Sequence, residues 1–456
     1  MDERQREAQA AQGSAARQHL ADRGVVGVAT TWVDNSGVTR VKAVPLAKLE
    51  SAARWGIGAS PVFDAFLPDD VIVAGRVAGG PVGDLRLHPD LDRLVVLHAQ
   101  PGWAWAPAVR YRQDGEVHPQ DQRSKAIDAV AALAGVGYTA KMAFELEWAL
   151  STTAPEFTPA ATGPAYGYTR LVEQSDYLRD LLIALAEQGV AVDQIHPEYG
   201  AAQYELSVAA EGPVEAADTM VLVRETIRAL SAQRGLYASF SPKVLAEGVG
   251  NGGHVHLSLW RGEQNIFTGG EGHYGLHADA EAFTAGVLDH LPALLAVGAP
   301  APASYLRLIP SHWAGAFQTW GLENREAALR LVAGSPGNPD AANLEVKAFD
   351  LSANPYLVVA GTIAAGLHGI AASTPLPEPV NVDPVSLSSA ELESLGVLPL
   401  PHSLAEVTDA FEADDTLAAA FGTELTTTIV DLRRAEAERF ADASPDDLAA
   451  AARWKY

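Results

Sequence analysis

The chain contains no cysteine. Disulfides, thiolate zinc sites and cysteine nucleophiles are thereby excluded. Positive charge is scarce: 32 Lys and Arg stand against 57 Asp and Glu, a formal net charge of −25. Binding a phosphate backbone needs clustered Lys and Arg, so nucleic acid is not an expected partner. The charged start, MDERQREAQAAQGSAARQHLADRG, has no apolar core and does not read as a secretory signal. The best membrane candidate is 354–373, NPYLVVAGTIAAGLHGIAAS. Its Ala and Gly content, its Asn-Pro opening and His368 favour a buried helix instead. A soluble cytoplasmic protein without a membrane partner is the expectation. No G-x-x-x-x-G-K-[ST] occurs, so any ATP site is not a P-loop.

What is present is a long chain with much to bury. Its 456 residues are 48% hydrophobic, enough for a large core and two or three domains. Residues 24–48 hold two β-prone runs around Asn35-Ser36-Gly37, the pattern of a hairpin. Further β-prone runs follow (VIVAG, RLVVLHA), and Pro101 and Pro107 suggest a boundary. From about residue 120, helix-like and strand-like runs alternate, and 385–456 reads as helices. The expected organisation is a polar arm (1–16), a β-rich domain (17–107) and an α+β catalytic domain (108–456).

Five stretches carry chemistry. In a strand, residues i and i+2 share a face. In KMAFELEW, Phe144, Leu146 and Trp148 therefore share one face, and Glu145 and Glu147 the other. Two adjacent carboxylates repel each other, and burying them without a partner is costly, so they either face solvent or hold a cation. In HPEYGAAQYELSV, Glu198 lies in a turn and Glu205 on the following strand. In GNGGHVHLSLW, His254, His256 and Ser258 alternate along one face. NLEVKAFD places Glu345 and Lys347 together, and NREAALRL carries Arg325 and Arg330. A carboxylate-dominated donor set favours Mg²⁺ or Mn²⁺ over Zn²⁺ or Cu²⁺. Arginines beside such a set suit a polyphosphate. Gly248-Val-Gly250-Asn-Gly-Gly253 matches G-x-G-x-x-G, but a strand-like run follows it, which argues against a dinucleotide site. On these residues alone, a metal hydrolase built on His254 and His256 stays open.

Together these stretches, with YLRLIP at 305–310 and EVKAFDLSANPYL at 345–357, resemble the glutamine synthetase family in motif and in order. The resemblance implies an N-terminal β-grasp domain and a catalytic domain with a curved antiparallel sheet. It implies active sites between neighbouring subunits of a homo-oligomer, a dodecamer of two stacked hexamers. It implies two or more Mg²⁺ (or Mn²⁺) ions per site, one set held by Glu147, Glu198 and Glu205 and the other by Glu145, His254 and Glu345. His256, Ser258 and Arg330 would contact the co-substrate ATP. Arg325 would act on the γ-phosphoryl transfer as the catalytic arginine and also touch ATP. Arg307, Lys347 and Gly250 would bind glutamate. The implied reaction makes a γ-glutamyl phosphate that a nitrogen nucleophile then attacks.

Departures from the family pattern concern the nucleophile. Where ammonia-using members place acids, this chain has Trp313, in RLIPSHWAG, and Ile57, in GIGAS. Both changes remove negative charge and add apolar bulk, so an organic amine is expected rather than ammonium. Apolar walls favour a monoamine, whereas nearby Asp64, Asp69 and Asp70 keep a polyamine open. Lys347 and Asn343 stand where arginines are usual, and Lys lacks the bidentate fork. The alternatives are an ammonia-using glutamine synthetase and a non-catalytic ring protein of the same family.

Overall fold

The computed structural model describes residues 1–77 and 79–456. The N-terminal hairpin forms as its turn chemistry directs: strand Gly27–Val33 pairs antiparallel with Thr39–Pro45. The small sheet continues from Gly27–Val33 through Trp103–Tyr111 and Leu85–Pro89 to Ile57–Ala59. Its one parallel pairing joins Gly27–Val33 to Trp103–Tyr111. Helices Glu3–Asp22 and Leu49–Trp55 pack over a core of Leu20, Val25, Val28, Leu49 and Ala104.

A ten-stranded sheet forms the larger domain. Its central run is Val192–Pro197, Gln203–Val208, Thr139–Ser151, Gly253–Arg261, Asn343–Val346, Ala327–Val332 and Phe317–Leu322. Every pairing in that run is antiparallel except the last, which is parallel. One face packs on helices; Phe144, Leu146, Trp148, Val255, Leu257 and Leu344 are buried in that core. The opposite face carries the acids and histidines, as the period-2 reading requires. Helices Ala278–Gly298 and Pro355–Ala372 are long and apolar enough to span a membrane, but both are largely buried. The α+β architecture matches the sequence expectation.

The polar start forms a helix, Glu3–Asp22, which runs past residue 16 and brings Gly13 close against Glu50 and Ala53. Two expectations need correcting. Pro107 marks no boundary, because strand Trp103–Tyr111 runs through it and pairs Pro107 with Thr31. We place the domain limit after that strand instead. The run VIVAG is not a strand; Ile72 makes only an isolated bridge to Phe66.

The hairpin turn also does more than reverse the chain. Asp34, Asn35 and Ser36 are buried. Asn354 Nδ2 donates to the carbonyls of Val33 and Asp34, and Arg433 donates to that of Asn35. Arg224 donates to Gly37 O and Thr39 Oγ1. The turn is therefore the peg that seats the small domain on the large one. Charged donors to buried carbonyls are among the stronger hydrogen bonds.

Candidate active site

Cross-strand register assembles the site. Glu147 on the central strand lies opposite Glu205, and Glu205 lies opposite His196. Two residues back, Glu145 lies opposite His254. His256 in turn faces Glu345, which faces Arg330. One continuous row of charge thus crosses six strands on a single face.

At its centre, His254 Nδ1 is 2.9 Å from Glu145 Oε1 and 3.3 Å from Glu345 Oε1, while Nε2 is 3.7 Å from Glu147 Oε1. His256 Nε2 lies 3.3 Å from Glu145 Oε2, and its Nδ1 meets Asn343 Oδ1 at 2.9 Å. Three sets of donors close enough to share an ion result: Glu145, His256, Glu345; Glu145, Glu147, His254; and His196, Glu198, Glu205. All six sequence-predicted metal ligands are therefore brought to one wall. By proximity their grouping differs from the expectation in three respects: His256 lies with Glu145 and Glu345, Glu147 lies with Glu145 and His254, and His196 lies with Glu198 and Glu205.

The electrostatics fit a cation. Burial pushes Glu147 up to about 7; Arg307 opposes the shift, and the Glu198 charge adds to it. Burial and the charges of Glu145 and Glu147 likewise raise Glu205, against the hydrogen bond from His196. His256 rises to about 9, because Glu145 and Glu345 outweigh its burial. Carboxylates crowded this closely are strained by mutual repulsion, and a divalent ion offsets it. The donor set, oxygen with imidazole, suits Mg²⁺ or Mn²⁺.

Two cavities open on this wall. The larger, about 540 Å³, is lined by Lys141, Glu145, His256, Ser258, Trp260 and Asn343, among others. The second, about 350 Å³, includes Glu145, Glu147, Glu198, Glu205, Gly250, His254, Arg307, Trp313, Arg325 and Lys347. Glu145 belongs to both. Arg307 is 4% exposed; its Nη2 donates to Lys347 O and contacts His254 Nε2, while Nη1 is buried with no partner. Lys347 Nζ donates to Glu345 Oε1 at 3.0 Å. Arg325 is exposed and forms no ion pair among the described residues.

Arg330 and Ile57 line neither cavity. Arg330 is tied to Glu323 and Glu345. Ile57 packs in the small domain beside Trp32 and Leu87. The acids that held open a polyamine are also engaged elsewhere: Asp64 with Arg110 and His118, Asp69 with Arg439, and Asp70 with Arg40.

Supporting residues escaped the sequence reading. Gln203 Nε2 lies 2.9 Å from Glu147 Oε2, Gly250 O and Asn251 Oδ1, and so fixes Glu147 against the loop. Its alternation with Glu205 was the available signal. Glu326 accepts from Ser311 N and Trp313 N. That grip holds both residues at positive φ and leaves the Trp313 ring 51% exposed in the cleft. Tyr166 and Tyr199, also half-exposed, line the same cleft.

Glycine is required where the loop meets the donors. A Cβ on Gly252 would sit 2.4 Å from His254 Nε2 and 2.8 Å from Glu147 Oε1. Gly252→Ala is therefore expected to displace both side chains, at a cost of about 1–3 kcal/mol. A lower Tm together with weaker Mn²⁺ binding is the anticipated result, and wild-type values in both would refute the packing argument.

Comparison with known proteins gives a consistent picture. The family model "Glutamine synthetase, catalytic domain" matches residues 119–449, and "Glutamine synthetase N-terminal domain" matches 13–121. The chain is 54% identical to the gamma-glutamylpolyamine synthetase GlnA3 of Streptomyces coelicolor, over 96% of this chain and 95% of that one. It is 31% identical to the glutamine synthetase of Thermotoga maritima, over 74% of this chain and 78% of that one. Among solved structures it resembles a "novel glutamine synthase homolog", with a TM-score of 0.85 and 32% identity, covering 95% and 99% of the two chains. A "GmaS/ADP complex" follows at a TM-score of 0.81 and 26% identity, covering 94% and 96%.

Proposed function

The chain belongs to the glutamine synthetase family, and from that premise we propose that it is an ATP-dependent ligase joining the γ-carboxylate of glutamate to a polyamine. The observation that carries this reading is the meeting of two cavities at Glu145. ATP enters the larger one, past His256 and Ser258. Glutamate and the amine enter the other. The terminal phosphoryl group and the γ-carboxylate then meet at the shared wall.

The buried, unpartnered Nη1 of Arg307 is a seat for the α-carboxylate of glutamate. Gly250, whose Cβ would strike Pro242 O and Arg307 Cγ, lets the loop approach that seat. Lys347 holds Glu345 and adds positive charge beside the reacting carboxylate. Arg325, without an ion pair among the described residues, would neutralise the transferring phosphoryl group. Arg330 orients Glu345 by their ion pair. Glu145, Glu147, Glu198, Glu205, His254 and Glu345 would hold Mg²⁺ or Mn²⁺, two or more ions per site. Bound there, such ions supply charge neutralisation during phosphoryl transfer.

In the first step a γ-carboxylate oxygen bonds to the terminal phosphorus of ATP and ADP leaves. In the second, the amine nitrogen attacks the acyl carbon, phosphate leaves and the nitrogen loses a proton. Ile57 and Trp313 carry no charge and by themselves favour a monoamine. The aromatic faces of Tyr166, Tyr199 and Trp313 can hold further ammonium groups. The 54% identical relative is named for polyamines, which points the same way. Ile57 would reach the cleft of a neighbouring subunit in a dodecamer of two stacked hexamers.

Glutamate labelled with ¹⁸O in its γ-carboxylate tests the scheme. Label is expected in the released phosphate when a polyamine is present. Amide formation with unlabelled phosphate would rule out the γ-glutamyl phosphate. Trp313→Glu is expected to raise ammonium use relative to spermidine by about tenfold in kcat/KM, the size of a cation–π contact. An unchanged ratio would remove Trp313 from the amine pocket.

A further inference from the structure

A third cavity, of about 250 Å³, lies away from the catalytic row. Its walls come from Leu67 and Asp69 of the small domain, the segment 301–303, and the C-terminal region from Glu436 to Tyr456. Most of this lining is apolar: Leu67, Pro302, Phe440, Leu448, Ala451 and Ala452. The exception at depth is Glu436. It is 5% exposed, and its carboxyl makes no hydrogen bond or ion pair among the described residues. At the same cavity Arg439 is already paired with Asp69, at 2.5 Å. Arg433, one turn before Glu436, spends its guanidinium on the carbonyls of Ala296 and Asn35.

A buried carboxyl without a hydrogen-bonding partner is costly in ionised form, and the charges of Arg433 and Arg439 offset that cost only in part. Consistent with this, burial lifts Glu436 to about 7 despite the nearby Arg433. An apolar chamber with one deep carboxyl is complementary to one ammonium group on an apolar body. A cavity of about 150 Å³ holds benzene, so this one has room for a ligand of roughly ten heavy atoms. A polyamine is a poor occupant, because beyond Glu436 the charged lining is Asp69, already paired with Arg439, and Lys455, which repels a further ammonium group. We propose that this cavity is a second ligand site, which takes a small alkyl- or arylammonium ion with its nitrogen on Glu436 and its body against Phe440 and Leu448. Its wall at 301–303 leads directly into the 3₁₀ turn Pro302–Leu306 and then Arg307. A bound molecule would thus touch the backbone that carries the proposed carboxylate clamp.

The test uses 4-bromophenethylammonium and the full chain. Soaked crystals are expected to show a bromine anomalous peak in this cavity. Solution calorimetry should show an affinity that falls at least tenfold in Glu436→Gln, which keeps the shape and removes the charge. Ala452→Leu, which fills the chamber, should abolish the same binding event and leaves Glu436 intact, so either variant can decide the matter. A bromine peak confined to the cleft beside Trp313, binding in the crystal without heat in solution, or wild-type affinity in either folded variant would overturn the proposal.

Discussion

Arg325→Ala is expected to lower kcat by roughly 10³-fold or more, with ATP affinity changed only a few-fold. An arginine that neutralises a transferring phosphoryl group is worth ~10³–10⁵ in rate, because its contact tightens as charge moves in the transition state. The structure supplies the preconditions. Arg325 is exposed, lines the cleft and forms no ion pair among the described residues. Compare Arg330, five residues on, which is spent on Glu323 and Glu345. Single-turnover kinetics and nucleotide calorimetry separate the two quantities. Equal losses in binding and turnover would make Arg325 a ground-state contact and contradict the role given to it.

Glu145→Ala is expected to lower kcat by a similar factor and to remove at least one Mn²⁺ per chain. Glu145 is the residue common to both cavities, and its two oxygens face His254 and His256 separately. Its loss takes the nearest carboxylate from both imidazoles, leaving Glu345 as the acid they share, and opens the wall between the two cavities. Several kcal/mol of metal-assisted stabilisation correspond to about 10³-fold in rate. Titrating Mn²⁺ by electron paramagnetic resonance counts the ions directly. Unchanged stoichiometry with lost activity would show that Glu145 acts on substrate alone. Unchanged activity would remove it from the site.

Much of this site is legible in the sequence because a strand has a period of two. FELEW and HVHLS announce which side chains share a face, and the faces form as expected. Register between strands is less accessible, since it depends on pairings many residues apart. His196 was missed because even a short hairpin's register is not written in either strand alone. Its neighbour Glu198 stands out in HPEYG, but the role of His196 emerges only when the hairpin sets it opposite Glu205. Loop acids are harder still. Glu326 looks like one more charge beside Arg325, and only the folded loop shows its carboxylate gripping Ser311 N and Trp313 N.

The small domain shows the opposite failing, where local signals mislead. Asn35-Ser36-Gly37 has the composition of an exposed turn, yet it is buried under Asn354, Arg224 and Arg433. Pro107 has the composition of a break, yet its carbonyl accepts from Asp90 N and its strand runs on. In both places tertiary hydrogen bonds satisfy a backbone that the local sequence leaves open. Ile57 fits neither category. It packs beside Trp32 and Leu87 in the small domain and lines neither cavity of the catalytic wall.

The most direct measurement is ATP-dependent product formation from glutamate and Mg²⁺ across ammonium, monoamines, aromatic amines and polyamines, with phosphate release and product mass read together. Stoichiometric phosphate and γ-glutamyl amide with polyamines, exceeding those with ammonium by at least tenfold in kcat/KM, is the expected result. Preference for ammonium, or amide formation without ATP turnover, would contradict it.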